Sequence, residues 1–502
     1  MTDLLVTLIG SLTSSIVPAA FAGVAWGILG GALPGISPSI TMALLVPFTY
    51  SLDPGVAVVL LASTYVGAEY GGSIPAILIG TPGTNAAAAT VIDGYKMKQQ
   101  GRADEALGIS LYSGFVGGLI GLLVLVFLTE PLSRLALAFT PAAYFALGVL
   151  GLSIIASLSG ESLLKGLMAG VLGLMIATVG TDPVTGINRF TFDSPELLSG
   201  IAPILVMMGL YAVSELLQQS GESEVGKSAA IRARTRIRFP SPALWRRIAL
   251  PQAIGSVIGT VEGVMPGSGG TIASFLAYNE AHRWSRHKEE FGNGSPEGIA
   301  APEAANNTVA CTALVPMLSL GIPSSNSAAV LLGGFLIHGL VPGPMLFVKH
   351  LDVVNGLFAG LLIANVAMLI VGYLIMTPCL WLVSRPKPYL MAFIYALVVS
   401  GVYAIETSLF QVGVALGFGA LGYAMRYFKV PLLPIVLGVV LGYLVESNYR
   451  RALVLSSGSH MTFVEDPIAF WLLVGALVFV LGSLARHVRA TTRQPGQRDT
   501  TV

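Results

Sequence analysis

Gly23-Val24-Ala25-Trp26-Gly27-Ile28-Leu29-Gly30-Gly31-Ala32-Leu33-Pro34-Gly35 sets Gly23, Gly27, Gly31 and Gly35 four residues apart and closes on a Pro-Gly step. About 232 residues later, Gly255-Ser256-Val257-Ile258-Gly259-Thr260-Val261-Glu262-Gly263-Val264-Met265-Pro266-Gly267 does the same with Gly255, Gly259, Gly263 and Gly267. Glycines at this spacing share one helix face and let another backbone approach closely. Proline removes a backbone donor and ends a helix where an apolar segment would otherwise continue. A second breaker follows each copy: Thr81-Pro82-Gly83-Thr84-Asn85-Ala86-Ala87 in the first half, Ile322-Pro323-Ser324-Ser325-Asn326-Ser327-Ala328 in the second.

The flanking sequence is apolar throughout. Hydrophobic residues make up 54% of the 502, charged residues only 11%, and mean hydropathy is +0.78. A soluble domain carries roughly 25% charged residues, so the chain reads as an all-α polytopic membrane protein. Runs such as 107–129, 351–377 and 467–485 are long enough for helical spans, which need about 20 residues. About 10–12 crossings are expected, with broken or re-entrant segments between them. The net charge of +1 gives nucleic acid no footing. Cys311 and Cys379 form neither a disulfide framework nor a metal motif. The first apolar run lacks a basic n-region and reads as a retained membrane segment.

Loop charges orient the halves. In the first half, Ser51-Leu52-Asp53-Pro54 between the breakers has no Lys or Arg, and the loop after the second breaker carries Lys96, Lys98 and Arg102. In the second half, the loop between the breakers is basic, and the sequence after the second breaker stays uncharged until Lys349. Basic loops face the cytoplasm. A swap of loop character between equivalent positions is what inverted-topology repeats predict. The expected organisation is a first membrane repeat at 1–217, a basic cytoplasmic linker at 218–247 and a second repeat at 248–445. A C-terminal membrane segment at 446–485 and a disordered basic tail at 486–502 follow.

Within the linker, Gly221-Glu222-Ser223-Glu224-Val225-Gly226-Lys227-Ser228 matches the P-loop pattern. A P-loop works between a buried strand and a helix whose N-terminus faces phosphate. Here a membrane segment precedes the match and an Arg-rich linker with Pro240 and Pro242 follows it. Chance is the better reading, and ATP-driven transport loses its support. A lipid-directed membrane enzyme would need clustered His, Asp or Glu, and six scattered histidines do not supply that. No catalytic residue, metal centre or bound cofactor is expected.

Paired interruptions in two halves point to a secondary-transporter binding site, where half-helix N-termini face anions and freed carbonyls ligate a cation. Pro34, Gly35, Pro82, Pro266, Gly267 and Pro323 are the breakers. Around them, Ser37, Ser73, Thr81, Gly83, Thr84, Asn85, Ser268, Asn306, Asn307, Ser324, Ser325, Asn326 and Ser327 offer neutral ligands for a substrate or cation. The same small residues also serve as ordinary packing in membrane helices. Glu69 and Glu262 are candidate coupling carboxylates, because intramembrane acids are rare and functional by default. Glu69 reads equally well as a loop residue at the membrane surface. Glu303 reads as a carboxylate at a helix start, Asp93 as a helix-end residue, and His338 as a packing residue.

At these residues the chain resembles the large membrane subunit of the tripartite tricarboxylate transporters, the TctA family, over roughly residues 15–445. Matching stretches include Leu33-Pro34-Gly35, Tyr70-Gly71-Gly72-Ser73-Ile74, Thr81-Pro82-Gly83-Thr84 and Asp93-Gly94-Tyr95. The most specific are Ala301-Pro302-Glu303-Ala304-Ala305-Asn306-Asn307 and His338-Gly339-Leu340-Val341-Pro342-Gly343-Pro344. Ser324 and the Ile36-Ser37 pair depart from the family's commoner glycine-rich forms and add hydroxyls. The resemblance implies a bacterial inner-membrane permease that takes up di- or tricarboxylates on a Na+ or H+ gradient. It also implies a small TctB-like membrane subunit and a periplasmic TctC-like solute-binding protein, and it admits a homodimer. A channel or exporter of organic anions with the same fold class is the alternative.

Overall fold

The structure, a computed structural model, describes residues 14–158, 162–182, 185–220, 237–267, 269–383 and 387–492. The P-loop match at 221–228, the candidate Ser268 and the extreme tail lie outside the described residues. In the first half the helices are α1 (Ile16–Gly31), α2 (Pro38–Thr49), α3 (Pro54–Gly71), α4 (Ser73–Ile79), α5 (Ala88–Gln99) and α6 (Ala103–Ala136). Next come α7 (Pro141–Leu158), α8 (Leu163–Ala177), α9 (Pro203–Met207) and, after a π-helical turn at Met208–Val213, α10 (Ser214–Ser220). The second half opens with α11 (Pro242–Val264), α12 (Gly269–Trp284), α13 (Pro296–Thr312), α14 (Leu314–Leu320) and α15 (Asn326–Ile337). It closes with α16 (Pro344–Lys349), α17 (Leu351–Leu374), α18 (Met376–Val383), α19 (Lys387–Glu406), α20 (Leu409–Tyr427), α21 (Leu433–Leu455), α22 (Thr462–Glu465) and α23 (Pro467–Thr492). One two-residue antiparallel pairing, Gly180–Thr181 with Asn188–Arg189, is the extent of strand among the described residues.

The protein is an all-α polytopic membrane protein. Among the described residues, five helices are long and apolar enough to cross a membrane: α6, α17, α20, and the segments Pro388–Glu406 and Pro467–Ala485. Five more apolar helices are only 10–17 residues long. The shorter ones arise where breaks divide the apolar runs, in keeping with the expected broken segments. Gly72 separates α3 from α4, and Ala313 separates α13 from α14.

The described chain gathers into two compact units. One combines the residues up to Ala136 with Ile204–Tyr423, and the other combines Leu137–Pro203 with the residues from Ala424 onward. In the second unit α8 crosses α21 at Gly173 and Gly438, and two acids and two arginines tie the loop to α21. There Arg189 meets Glu446 at 2.7 Å and Arg450 meets Asp182 at 2.9 Å.

In the first unit, both glycine ladders are helix-packing faces. A side chain at Gly27 would strike the Thr64 and Gly67 backbone, and one at Gly31 would strike Ala68. Gly67 and Gly71 return the contact against Val24 and Ile28, so α1 and α3 run side by side in the same direction. The second ladder repeats this on α13: Gly255 faces Ala301, Gly259 faces Ala305, and Gly263 faces Thr312. Without an apolar solvent penalty to drive helices together in lipid, this close approach supplies the dispersion contacts that hold the pairs.

Two sets of loops gather in this unit. The loop after α5 meets the one before α13, where Gln100 Nε2 donates to Asn293 O at 2.7 Å. Nearby, Arg247 pairs with Glu297 at 2.9 Å, and Arg102 with Glu105 at 3.0 Å. The Glu105 hydrogen bond raises the pKa of the Arg102 guanidinium, against the opposing effect of its partial burial. Elsewhere the end of α2 meets the end of α15, through Thr49 Oγ1 and His338 Nε2 at 3.1 Å.

Candidate functional site

The second breaker of each half forms a matched turn. Helix α4 ends on Gly80 at φ 72°, and α14 ends on Gly321 at φ 74°. Both positions need the left-handed conformation that glycine adopts without strain. In the first turn, Gly83 N–H donates to Gly72 O at 3.0 Å, and Thr84 Oγ1 accepts from Ala87 N at 3.4 Å. In the second, Ser324 stands where Gly83 stands in the first. Its hydroxyl donates to Gly263 O at 2.8 Å and to Ala313 O at 3.3 Å, while its carbonyl accepts from Gly267 N at 2.9 Å. Ser324 therefore stitches the ladder to the α13–α14 break.

Several other hydroxyls serve as helix caps. Ser37 Oγ accepts from Ile40 N at the start of α2, and Ser325 Oγ accepts from Ala328 N at 3.1 Å at the start of α15. Asn85 and Asn326, the paired amides, are both exposed, and Thr81 is exposed as well. Tyr211, in the π-helical turn, donates its hydroxyl to Asn326 Oδ1 at 3.1 Å. The first Pro-Gly is held by Gln219, whose amide donates to Gly35 O at 2.7 Å. Pro34, Pro82, Pro266 and Gly267 are half-buried and Pro323 is buried. Glu262 sits half-buried on α11 beside its ladder.

Between the two turns lies a buried polar cluster drawn from both halves. Glu303 is 1% exposed and sits in the middle of α13, not at a helix start as its Pro-bearing context suggests. The proline at 302 lies inside the helix, which begins six residues earlier at Pro296. Ser73 Oγ donates to Glu303 Oε1 at 2.5 Å, and Thr90 Oγ1, in the first turn of α5, donates to the same oxygen. Ser110 lies beside this carboxyl. Glu69 is 6% exposed on the last turns of α3, away from any loop. Asn306 donates to Glu69 O at 3.5 Å and lies against the Glu69 carboxyl. Asn307 instead donates to Glu303 O at 3.0 Å and packs on Gly114 of α6.

The turns reach this cluster from opposite halves. Tyr65, one helical turn before Glu69, lies against Ser325 and Ser327 of the second turn. Gly270 at the start of α12 approaches both Asn306 and Ala86 of the first turn. Neither Glu69 nor Glu303 forms an ion pair among the described residues, and Glu69 Oε2, Glu303 Oε2, Asn306 Oδ1 and Ser110 Oγ have no hydrogen-bond partner there. Buried polar atoms are normally satisfied, and these four oxygens are not.

Asp93 closes the geometry from α5. It is fully buried, and its Oδ1 accepts from Gly294 N at 2.8 Å and Ser295 N at 2.9 Å. Its Oδ2 accepts from Tyr278 OH at 2.9 Å. One carboxylate thus anchors the residues leading into α13, whose N-cap is Ser295, and Thr90, one turn away on α5, holds Glu303 further along it. Sequence reasoning missed Tyr65, Thr90, Ser110 and Tyr211. Their partners come from distant segments, and none stands in a motif that singles it out.

A family profile, the tripartite tricarboxylate transporter TctA family, matches residues 17–437. The chain belongs to the TctA family. Two curated relatives from Agrobacterium vitis agree with this. An uncharacterized 52.8 kDa protein in the TAR-I ttuC' 3' region is 38% identical over 475 residues, covering 94% of this chain and 93% of the relative. An uncharacterized protein in the TAR-II ttuC' 3' region is 36% identical over 240 residues, covering 47% of this chain and 98% of the relative. No solved structure matches the chain. Membership makes the protein a component of a tricarboxylate transporter, and its helices fit a multi-pass membrane protein.

Proposed function

We propose that the chain is the large permease subunit of a binding-protein-dependent tripartite system in a bacterial inner membrane. It works as a secondary active, cation-coupled importer of di- and tricarboxylates, with a TctB-like membrane subunit and a TctC-like solute-binding protein as partners. The observation that carries this reading is the buried Glu69–Glu303 cluster enclosed by two matched turns, one from each half. Half-helix starts at such turns present N–H groups to a substrate carboxylate, and the exposed amides of Asn85 and Asn326 stand beside them.

The loop contacts support insertion of the repeats at 1–217 and 248–445 from opposite sides, with 218–247 cytoplasmic. The basic loop after α5 meets the basic loop before α13, and the uncharged ends of α2 and α15 meet each other. Those are equivalent loops exchanged between halves, the arrangement an inverted repeat requires. Carboxylate uptake into vesicles containing all three components tests the site. Asn85→Ala and Asn326→Ala should each abolish uptake while inserting normally, and wild-type rates in both would remove these turns from the site.

A further inference from the structure

We infer that Glu69, Glu303, Asn306 and Ser110 form a sodium site at the junction of α3, α13 and α6, distinct from the exposed Asn85 and Asn326 turns. The inference rests on the reading of the chain as a cation-coupled permease and names the residues that take the ion. Both carboxylates are buried, lie within electrostatic reach of each other, and lack a basic partner among the described residues. Two uncompensated charges in a low-dielectric interior are costly. Each carboxyl leaves Oε2 open, and Asn306 Oδ1 and Ser110 Oγ are open beside them. Four open oxygens from α3, α13 and α6 suit a hard cation such as Na+, which takes several oxygen ligands at once. The ligand set is all oxygen, with neither nitrogen nor sulfur among it, as hard cations require.

The two carboxylates divide the work. Glu303 Oε1 already accepts hydroxyls from Ser73 and Thr90 and faces the first turn of the twelve-residue α5, whose positive end favours an anion. Sodium then offsets mainly the charge of Glu69. Asn306 reaches Glu69 from α13, and Gly270 packs so closely against both Asn306 and Ala86 of the first turn that an added side chain would touch both. The ion therefore ties α3 of the first half to α13 of the second, next to both turns. Filling the site would set the distance between the halves at the place where substrate enters.

Binding of radioactive Na+ to the purified full chain in nanodiscs, without partners or carboxylate, tests this directly. Wild type should bind about one Na+ per chain, and Glu69→Gln and Glu303→Gln should each weaken binding by more than about tenfold. Asn306→Ala and Ser110→Ala, milder changes that keep both carboxyls, should weaken it several-fold and guard against misfolding of the charge variants. Glu130→Gln, at an exposed ion pair with Arg134 near the end of α6, should bind as wild type does. Absence of saturable Na+ binding by wild type, or unchanged affinity in all four site variants, overturns the site. Proton-driven uptake by a wild type that binds no Na+ would overturn the site and leave the importer reading intact. Na+ binding lost in the variants, from a chain that moves no carboxylate, would do the reverse.

Discussion

Replacing Asp93 with alanine should cost more stability than any single change in the exposed turns. The side chain is fully buried and accepts three hydrogen bonds, from Gly294 N, Ser295 N and Tyr278 OH. Stranding a buried donor costs about 1–3 kcal/mol, and bonds to a charged acceptor sit in the upper part of that range. Three stranded donors, partly rescued by local relaxation, give a loss of roughly 3–6 kcal/mol for Asp93→Ala. Asp93→Asn keeps one acceptor and the side chain's volume, so its loss should be about 1–2 kcal/mol. The ranking follows from geometry, because Gly298 passes so close to Asp93 Oδ2 that the start of α13 is moulded around this carboxylate. Denaturant unfolding in mixed micelles measures both variants, with Tyr278→Phe as the third corner of a double-mutant cycle. The same variants should lose transport in parallel, since α5 carries Asp93 and also Thr90, which holds Glu303. A loss below about 1 kcal/mol for Asp93→Ala, the size of one ordinary hydrogen bond, would refute the view that this carboxylate fixes α13.

Other substitutions separate scaffold from site. Gly259→Val places a side chain on the Ala305 carbonyl and should destabilise by about 3 kcal/mol or prevent insertion, read as loss of monodisperse protein on gel filtration. Ser324→Ala leaves Gly263 O and Ala313 O short of a donor; it should lower stability by about 1 kcal/mol and leave the substrate concentration for half-maximal uptake unchanged. A large rise in that concentration would return Ser324 to the substrate site. Tyr211→Phe removes the donor to Asn326 and should raise the same concentration several-fold, with no change in thermal unfolding beyond that of one part-buried hydrogen bond.

The scaffold was largely legible in the sequence because its signals are local. Glycines four residues apart announce a close helix face, and the breakers at Pro82 and Pro323 announce the interruptions that Gly80 and Gly321 open in the structure. The charge of short loops, read pairwise between halves, gave an expected orientation for each half rather than any contact between them. The length of the spans was less legible, since a breaker inside an apolar run shortens helices without changing composition. The chemistry was least legible. Glu303 owes its role to Ser73 and Thr90, which are 230 and 213 residues away in sequence. Nothing local distinguishes a mid-helix glutamate after an internal proline from one opening a helix. Ser324 misled in the other direction, because a hydroxyl in a breaker motif looks available until the carbonyls it serves are seen. Asp93, read as a helix-end residue, does its work at the start of another helix 201 residues away.

The most direct measurement is carboxylate uptake into sealed vesicles holding this chain, the small membrane subunit and the binding protein, over a panel of di- and tricarboxylates with imposed Na+ or H+ gradients. Cation-coupled import predicts accumulation above equilibrium that follows an inward Na+ gradient, collapses when the gradient is dissipated and disappears in Glu303→Gln. Uptake that only equilibrates the carboxylate, at the same rate with and without an ion gradient, would contradict it.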